Sequence, residues 1–130
     1  MTTNGIDTVL GIYDALARQD LATLLAVTDP DVTITQTDAL PWGGEYRGAA
    51  GLKEFLARLL QHVRSAVEVR ECFAAGSQVV VVGRTAGEVR ATGASFDVRV
   101  VHVWTLHGGK VTRFEPFLDT PIMLRALDTS

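Results

Sequence analysis

The sequence predicts an α+β fold, a cone-shaped, curled antiparallel sheet with three helices packed on one face and a pocket between the layers. Three observations carry this. In the N-terminal half, apolar residues recur at helical spacing: Ile6, Val9, Leu10, Tyr13, Leu16 and Ala17 form one stripe, and Leu52, Phe55, Leu56, Leu59, Leu60 and Val63 another. From Ala66 onward the pattern becomes that of extended chain, rich in Val, Phe and Trp. The last two extended runs, 96–106 and 110–118, flank His107-Gly108-Gly109, which is a strong hairpin signal. Helices segregated to one face of such a sheet leave a conical space between them, where ligands are expected.

The first helix spans 5–19, and Thr3 or Asn4 can cap it. Tyr13 falls mid-stripe, so its ring points inward, either as a core tyrosine bonded to a carbonyl or as a donor aimed into a cavity. Arg18-Gln19-Asp20 breaks the helix, and Asp20 caps a second over 21–28 with Leu21, Leu24 and Leu25 inside. Asp29-Pro30 stops it, because the residue before proline avoids the helical region. In the strand 31–38, Val32, Ile34, Gln36 and Asp38 share one face. Gln36 is either a hydrogen-bonded amide or a ligand contact.

Residues 40–48 read as a loop rich in glycine and aromatics; such loops, here carrying Trp42, commonly close over or line a pocket. A third helix, 49–64, turns Phe55 inward and Lys53, Glu54, Arg58 and Gln61 outward, leaving His62 solvated. Strands 67–74 and 78–89 follow, and the continuous run Val79–Val82 implies cover on both faces there. In strand 96–106, Phe96, Val98, Val100, His102 and Trp104 alternate onto one face. His102 is thus an imidazole in an apolar row, a satisfied core histidine or a functional group. Strand 110–118 points Phe114, Pro116 and Leu118 inward and Arg113 and Glu115 outward. Thr120-Pro121 opens a last short helix anchored by Leu124 and Leu127, with proline at its favoured first position. Asp119 precedes that helix as a cap or as a candidate base.

The chain length of 130 residues suits one domain, 1–130. A net charge of -3 with scattered basic residues gives no footprint for nucleic acid. No apolar run reaches the roughly 18 residues that span a bilayer, and no basic-plus-apolar leader precedes the first helix, so the expectation is a cytoplasmic protein that is not membrane-bound. The single cysteine, Cys72, excludes an intrachain disulfide and reads as an inert thiol in a strand. His62, His102 and His107 lie on a helix, a strand and a turn without ligand spacing, so neither a metal nor a cofactor is expected.

Several of these pieces carry a family resemblance. They are Ile12-Tyr13-Asp14-Ala15-Leu16 with Gln19-Asp20-Leu21, then Asp29-Pro30-Asp31-Val32-Thr33-Ile34, Tyr46-Arg47-Gly48, and Val103-Trp104-Thr105-Leu106 with Gly108-Gly109-Lys110-Val111. Through them the whole chain resembles the nuclear transport factor two-like superfamily, in particular its SnoaL-like polyketide cyclases and ketosteroid isomerases. The resemblance implies a cone with a small-molecule pocket. It matches Tyr13 to the tyrosine with which the isomerases donate to an enolate oxygen, and His102 to their second oxyanion donor. Phe55, Phe114, Pro116 and Leu118 match pocket-lining positions. Gln36 stands where the isomerases carry their aspartate base, and an amide takes no proton at neutral pH.

The chemistry so implied is proton abstraction next to a carbonyl on an apolar, polyketide- or steroid-like substrate. Tyr13 and His102 would be neutral donors to the enolate, and Asp38, Asp119, Glu115 or His102 itself the base. Gln36, Trp42, Phe55, Trp104, Phe114 and Leu118 are the candidate ligand contacts. The alternative is a non-catalytic carrier of a small apolar ligand. Val101 and Val103 share the outer sheet face with Asp97, Arg99 and Thr105, and Val81 is expected to extend that strip. An uncovered apolar strip is usually a contact surface, so a homodimer through this wall is expected, as the resemblance also implies.

Overall fold

The structure is a computed structural model and describes residues 5–128; the helix caps expected at Thr3 or Asn4 lie outside them. Its elements are α1 Gly5–Ala17, α2 Leu21–Ala26, β1 Thr28–Gln36, β2 Gly44–Arg47, α3 Gly48–His62, β3 Val63–Ala75, β4 Gln78–Val89, β5 Ser95–His107, β6 Lys110–Leu118 and α4 Thr120–Leu127. One six-stranded sheet has the order β2-β1-β6-β5-β4-β3. All neighbours are antiparallel except β1 and β6, which run parallel.

Alternation produces the two faces of this sheet. Along β5, Phe96, Val98, Val100, His102 and Trp104 are buried while Ser95, Asp97, Arg99 and Val101 are exposed. The buried set faces α1, α2 and α3, whose Val9, Ile12, Leu24, Leu52 and Phe55 complete the core. Gly108 and Gly109, at φ +59 and +78, supply the left-handed pair that a two-residue hairpin turn requires. The sheet curls where β3 and β4 come closest. A Cβ on Gly83 would strike the Glu68 carbonyl and one on Gly87 the Arg64 carbonyl, and β3 shifts register between Val69 and Glu71. A bulge of that kind increases local twist and bends the strand.

Four expectations need correction. The loop 40–48 contains β2, a four-residue edge strand pairing with β1 from Thr33↔Arg47 to Gln36↔Gly44. Only Tyr46 in it is buried, so the run is too short to show alternation. Secondly, β1 begins at Thr28 and ends at Gln36, because Pro30 is absorbed where the ladder to β6 shifts register between Thr28 and Thr33. Asp38 therefore lies beyond the strand, exposed in a turn. Thirdly, Val81 is fully buried and pairs with His102, so it belongs to the inner face. The outer strip is made instead by Phe73, Val80, Val82, Val101, Val103 and Phe117. Finally, His62 is half-buried, its ring 6.1 Å from that of Trp42, rather than solvated. Among the described residues, no helix is long and apolar enough to cross a membrane.

Candidate functional site

The helical stripe of α1 carries Tyr13 to the concave face, and the alternation of β5 brings His102 and Trp104 there from two positions apart. The three side chains meet. The Tyr13 hydroxyl lies 2.6 Å from His102 Nδ1, and Trp104 Nε1 donates to the Tyr13 oxygen at 3.0 Å. An indole N–H can only donate, so the tyrosine oxygen accepts there. The Tyr13–His102 direction depends on the imidazole tautomer, and donation of the tyrosine proton to Nδ1 is the arrangement that gives each group one donor and one acceptor role. An imidazole accepting at Nδ1 carries its proton on Nε2. The result is a chain of neutral donors running Trp104, Tyr13, His102 and ending at Nε2–H.

Electrostatics agree with that assignment. Burial pushes His102 down to about 4, and no carboxylate among the described residues is hydrogen-bonded to either ring to restore the charge. Burial likewise raises Tyr13, opposed by the Trp104 hydrogen bond. Cys72 pairs with Val81, which pairs with His102, so its half-buried thiol shares this face; burial raises it and keeps it protonated.

A testable consequence follows for pH. The folded-state value of His102 is depressed below the unfolded 6.5, so the unfolded chain binds the extra proton first as pH falls. The contribution is fully present above about 6.5 and is lost as pH drops through about 4. The ceiling on that loss is on the order of 3 kcal/mol. NMR titration of the imidazole, alongside urea denaturation at pH 7 and pH 4.5, measures both. In His102→Gln that part of the acid sensitivity should disappear.

The other candidate residues fall in three places. Phe55, Trp104 and Phe114 form an aromatic wall: Trp104 and Phe114 stack at 3.9 Å between centroids, Phe55 meets Phe114 edge-on at 6.3 Å, and His102 meets it edge-on at 5.3 Å. Gln36 is tied down, its Nε2 donating to the Pro116 carbonyl at 3.2 Å, and Trp42 is buried against His62. Leu118 is half-buried opposite Val100. The carboxylates are elsewhere. Asp38 is exposed, Asp119 caps α4 by accepting from the Ile122 N–H at 3.3 Å, and Glu115 pairs with Arg113 at 3.1 Å on the outer face.

These residues do not surround one open pocket. The interior void where the three helices meet the sheet measures about 30 Å³ and is lined by Leu16, Leu24, Phe55, Leu56, Trp104 and Phe114, among others. Small-molecule sites usually hold roughly 300–1,000 Å³; this void holds about one water. The aromatic side chains have packed onto one another and filled the concave face. Phe114 is the partition, touching the void on one side and His102 on the other. A cleft of about 210 Å³ lies among Gly5, Thr8, Ser77, Gln78 and Leu106, and none of the candidate residues lines it. Sequence reasoning singled out Tyr13 and His102 but treated them as independent donors, and it read Trp104 as a ligand contact. The signal for the link was the two-residue spacing of His102 and Trp104 on one strand face.

Comparison with known proteins places this arrangement. The chain is 30% identical to an NTF2-like protein of unknown function from Burkholderia pseudomallei K96243, over 99% of this chain and 100% of that one, with a TM-score of 0.90. An NTF2-like protein from Burkholderia thailandensis E264 is 32% identical over 98% and 99% of the two chains, with a TM-score of 0.89. TerC, co-crystallised with polyporic acid, is 30% identical over 95% and 97%, with a TM-score of 0.86. No curated protein matches the chain. The SnoaL-like domain model matches residues 9–114. With most of its length so matched, the chain belongs to the SnoaL-like domain family, within the NTF2-like fold.

Proposed function

We propose that the chain is a cyclase- or isomerase-type enzyme acting on an apolar, polyketide-like substrate that carries a 1,3-dicarbonyl unit. His102 Nε2–H is the donor to the enolate oxygen. The observation that carries this reading is the uncharged chain from buried Trp104 through half-buried Tyr13 to buried His102. A fixed donor in a low-dielectric aromatic wall stabilises charge that develops on an oxygen without reorganisation.

The absent carboxylate selects the substrate class. Asp38, Asp119 and Glu115 are all engaged or exposed away from His102, and Gln36 is bonded to Pro116. Deprotonation then falls to water or hydroxide, which suffices at neutral pH only for a carbon acid as strong as a 1,3-dicarbonyl. A steroid-like monoketone lacks that acidity. Admission of such a substrate needs the aromatic wall around Phe114 to move apart, because the 30 Å³ void is far smaller than the ligand. TerC supports a small organic ligand for this chain too, through its co-crystallisation with polyporic acid.

Deuterium incorporation from D₂O tests the reading, with an apolar 2-alkyl-1,3-diketone compared against a matched monoketone. The wild-type protein should accelerate exchange of the diketone alone. Acceleration of neither, with no binding, would sink the proposal. Saturable binding without acceleration would establish the second reading, a carrier, which the tie between Gln36 and Pro116 favours.

Pairing of two copies belongs to the same proposal. Phe73, Val101 and Phe117 are 45%, 38% and 54% exposed on one wall of the sheet, and continuous apolar strips of this kind mark contact surfaces. A twofold dimer through that wall would leave both concave faces accessible. Analytical ultracentrifugation at micromolar concentration should give a dimer for the wild type and a monomer for Phe117→Glu. A monomeric wild type would refute the pairing.

A further inference from the structure

We infer that Trp104 is a positioning residue for the reaction: its indole N–H, held against the Tyr13 oxygen, fixes where the tyrosine proton points and so keeps His102 as an Nε2–H donor. The inference rests on the proposed role of His102, and it assigns to Trp104 a task other than lining the pocket.

The geometry is specific to that task. Trp104 and His102 are two residues apart on β5, and register locks both: Trp104 lies opposite Val79 and Phe114, His102 opposite Val81 and Pro116. Tyr13 reaches both of them from α1. Its ring lies near-parallel to the imidazole, at 10°, and nearly perpendicular to the indole, at 85°. That perpendicular arrangement brings the indole N–H to the tyrosine oxygen, and the 3.9 Å stack on Phe114 holds the indole in place. Trp104 is 4% exposed, so its N–H must find a partner inside.

The consequence is chemical. A hydroxyl that accepts one hydrogen bond donates the next more strongly, because the two bonds polarise each other. Tyr13 thereby loads Nδ1, and an imidazole loaded there offers a more acidic N–H at Nε2. Without the indole, the tyrosine oxygen can instead accept from Nδ1–H. In that tautomer Nε2 becomes a lone pair that repels an enolate. Trp104 thus sets the sign of the group that meets the substrate oxygen, three atoms away from any contact with it.

Two probes of one shape separate this from simple packing. The ratio of naphthalene to 2-naphthol dissociation constants reports the preference for oxygen, and both ligands share the same apolar body. Trp104→Phe keeps a stacking ring but removes the N–H together with part of the indole, so the ratio, and not either affinity alone, is the readout. It should lower that ratio about threefold to tenfold, the usual worth of one hydrogen bond, and move the Tyr13 hydroxyl proton resonance upfield. Equal weakening of both ligands, with the ratio intact, would overturn the inference. NMR of the wild-type protein decides the matter independently if the variant does not fold. A contact between the Trp104 indole proton and the Tyr13 hydroxyl proton, with the His102 proton on Nε2, supports the relay; a proton on Nδ1 overturns it. Failure of the wild type to prefer 2-naphthol would count against the proposed function, whereas the NMR result stands apart from it.

Discussion

His102→Ala should reduce turnover of a 1,3-dicarbonyl substrate by about 10²–10³, the usual cost of removing one oxyanion donor. Tyr13→Phe should cost less, about tenfold, because its proton is spent on His102 Nδ1 rather than on the substrate. That asymmetry is the informative part. Two independent donors aimed at one oxygen would give losses of similar size. His102→Gln, which keeps an N–H, should retain part of the rate. Steady-state kinetics on the three variants, with circular dichroism to verify folding, measures the order. Equal losses in Tyr13→Phe and His102→Ala would mean that both groups reach the substrate.

Phe114→Ala should destabilise the fold by about 3–5 kcal/mol while strengthening binding of an apolar ligand. The ring is buried in contact with Trp104, Phe55 and His102, so truncation forfeits all three contacts. It also removes the partition between the 30 Å³ void and the His102 ring. Apolar cavities of this kind stay dry and take up apolar guests. Urea denaturation gives the first effect and titration with naphthalene the second. A destabilised variant that binds no better than the wild type would show that Phe114 is only a core residue.

Much of this molecule was legible in its residues. Strand alternation placed Phe96, Val98, Val100, His102 and Trp104 on one face, and all five are buried there. The Gly108-Gly109 pair gave the turn between β5 and β6, whereas α2 ends at Ala26, short of the expected 28, and Asp29-Pro30 lies inside β1 rather than at the helix stop. What escaped depends on neighbours distant in the chain. Tyr46 defines β2 only by pairing with Ile34, and nothing local distinguishes Gly44–Arg47 from a loop. Asp38 shared the parity of Gln36, but the strand ended before it, and parity has no meaning past the last ladder pair. The tie from Gln36 to Pro116 spans 80 residues, and the one from Tyr13 to Trp104 spans 91. Periodicity tells which face a side chain takes, and not which partner it finds there. For the same reason the cone was expected to be open. The total volume of the aromatic side chains converging on it is a tertiary quantity, and Trp104, Phe114 and Phe55 fill it.

The central claim is that His102 meets the substrate oxygen as a neutral donor through Nε2–H. The most direct measurement is ¹⁵N-edited NMR of the His102 side chain while an apolar 1,3-diketone is titrated in at neutral pH. The expected result is one proton, on Nε2 in both states, with its resonance moving downfield as the enolate binds and Nδ1 remaining an acceptor. A doubly protonated ring in the complex, or a proton resident on Nδ1 with Nε2 bare, would contradict the claim and make His102 the acid–base group instead.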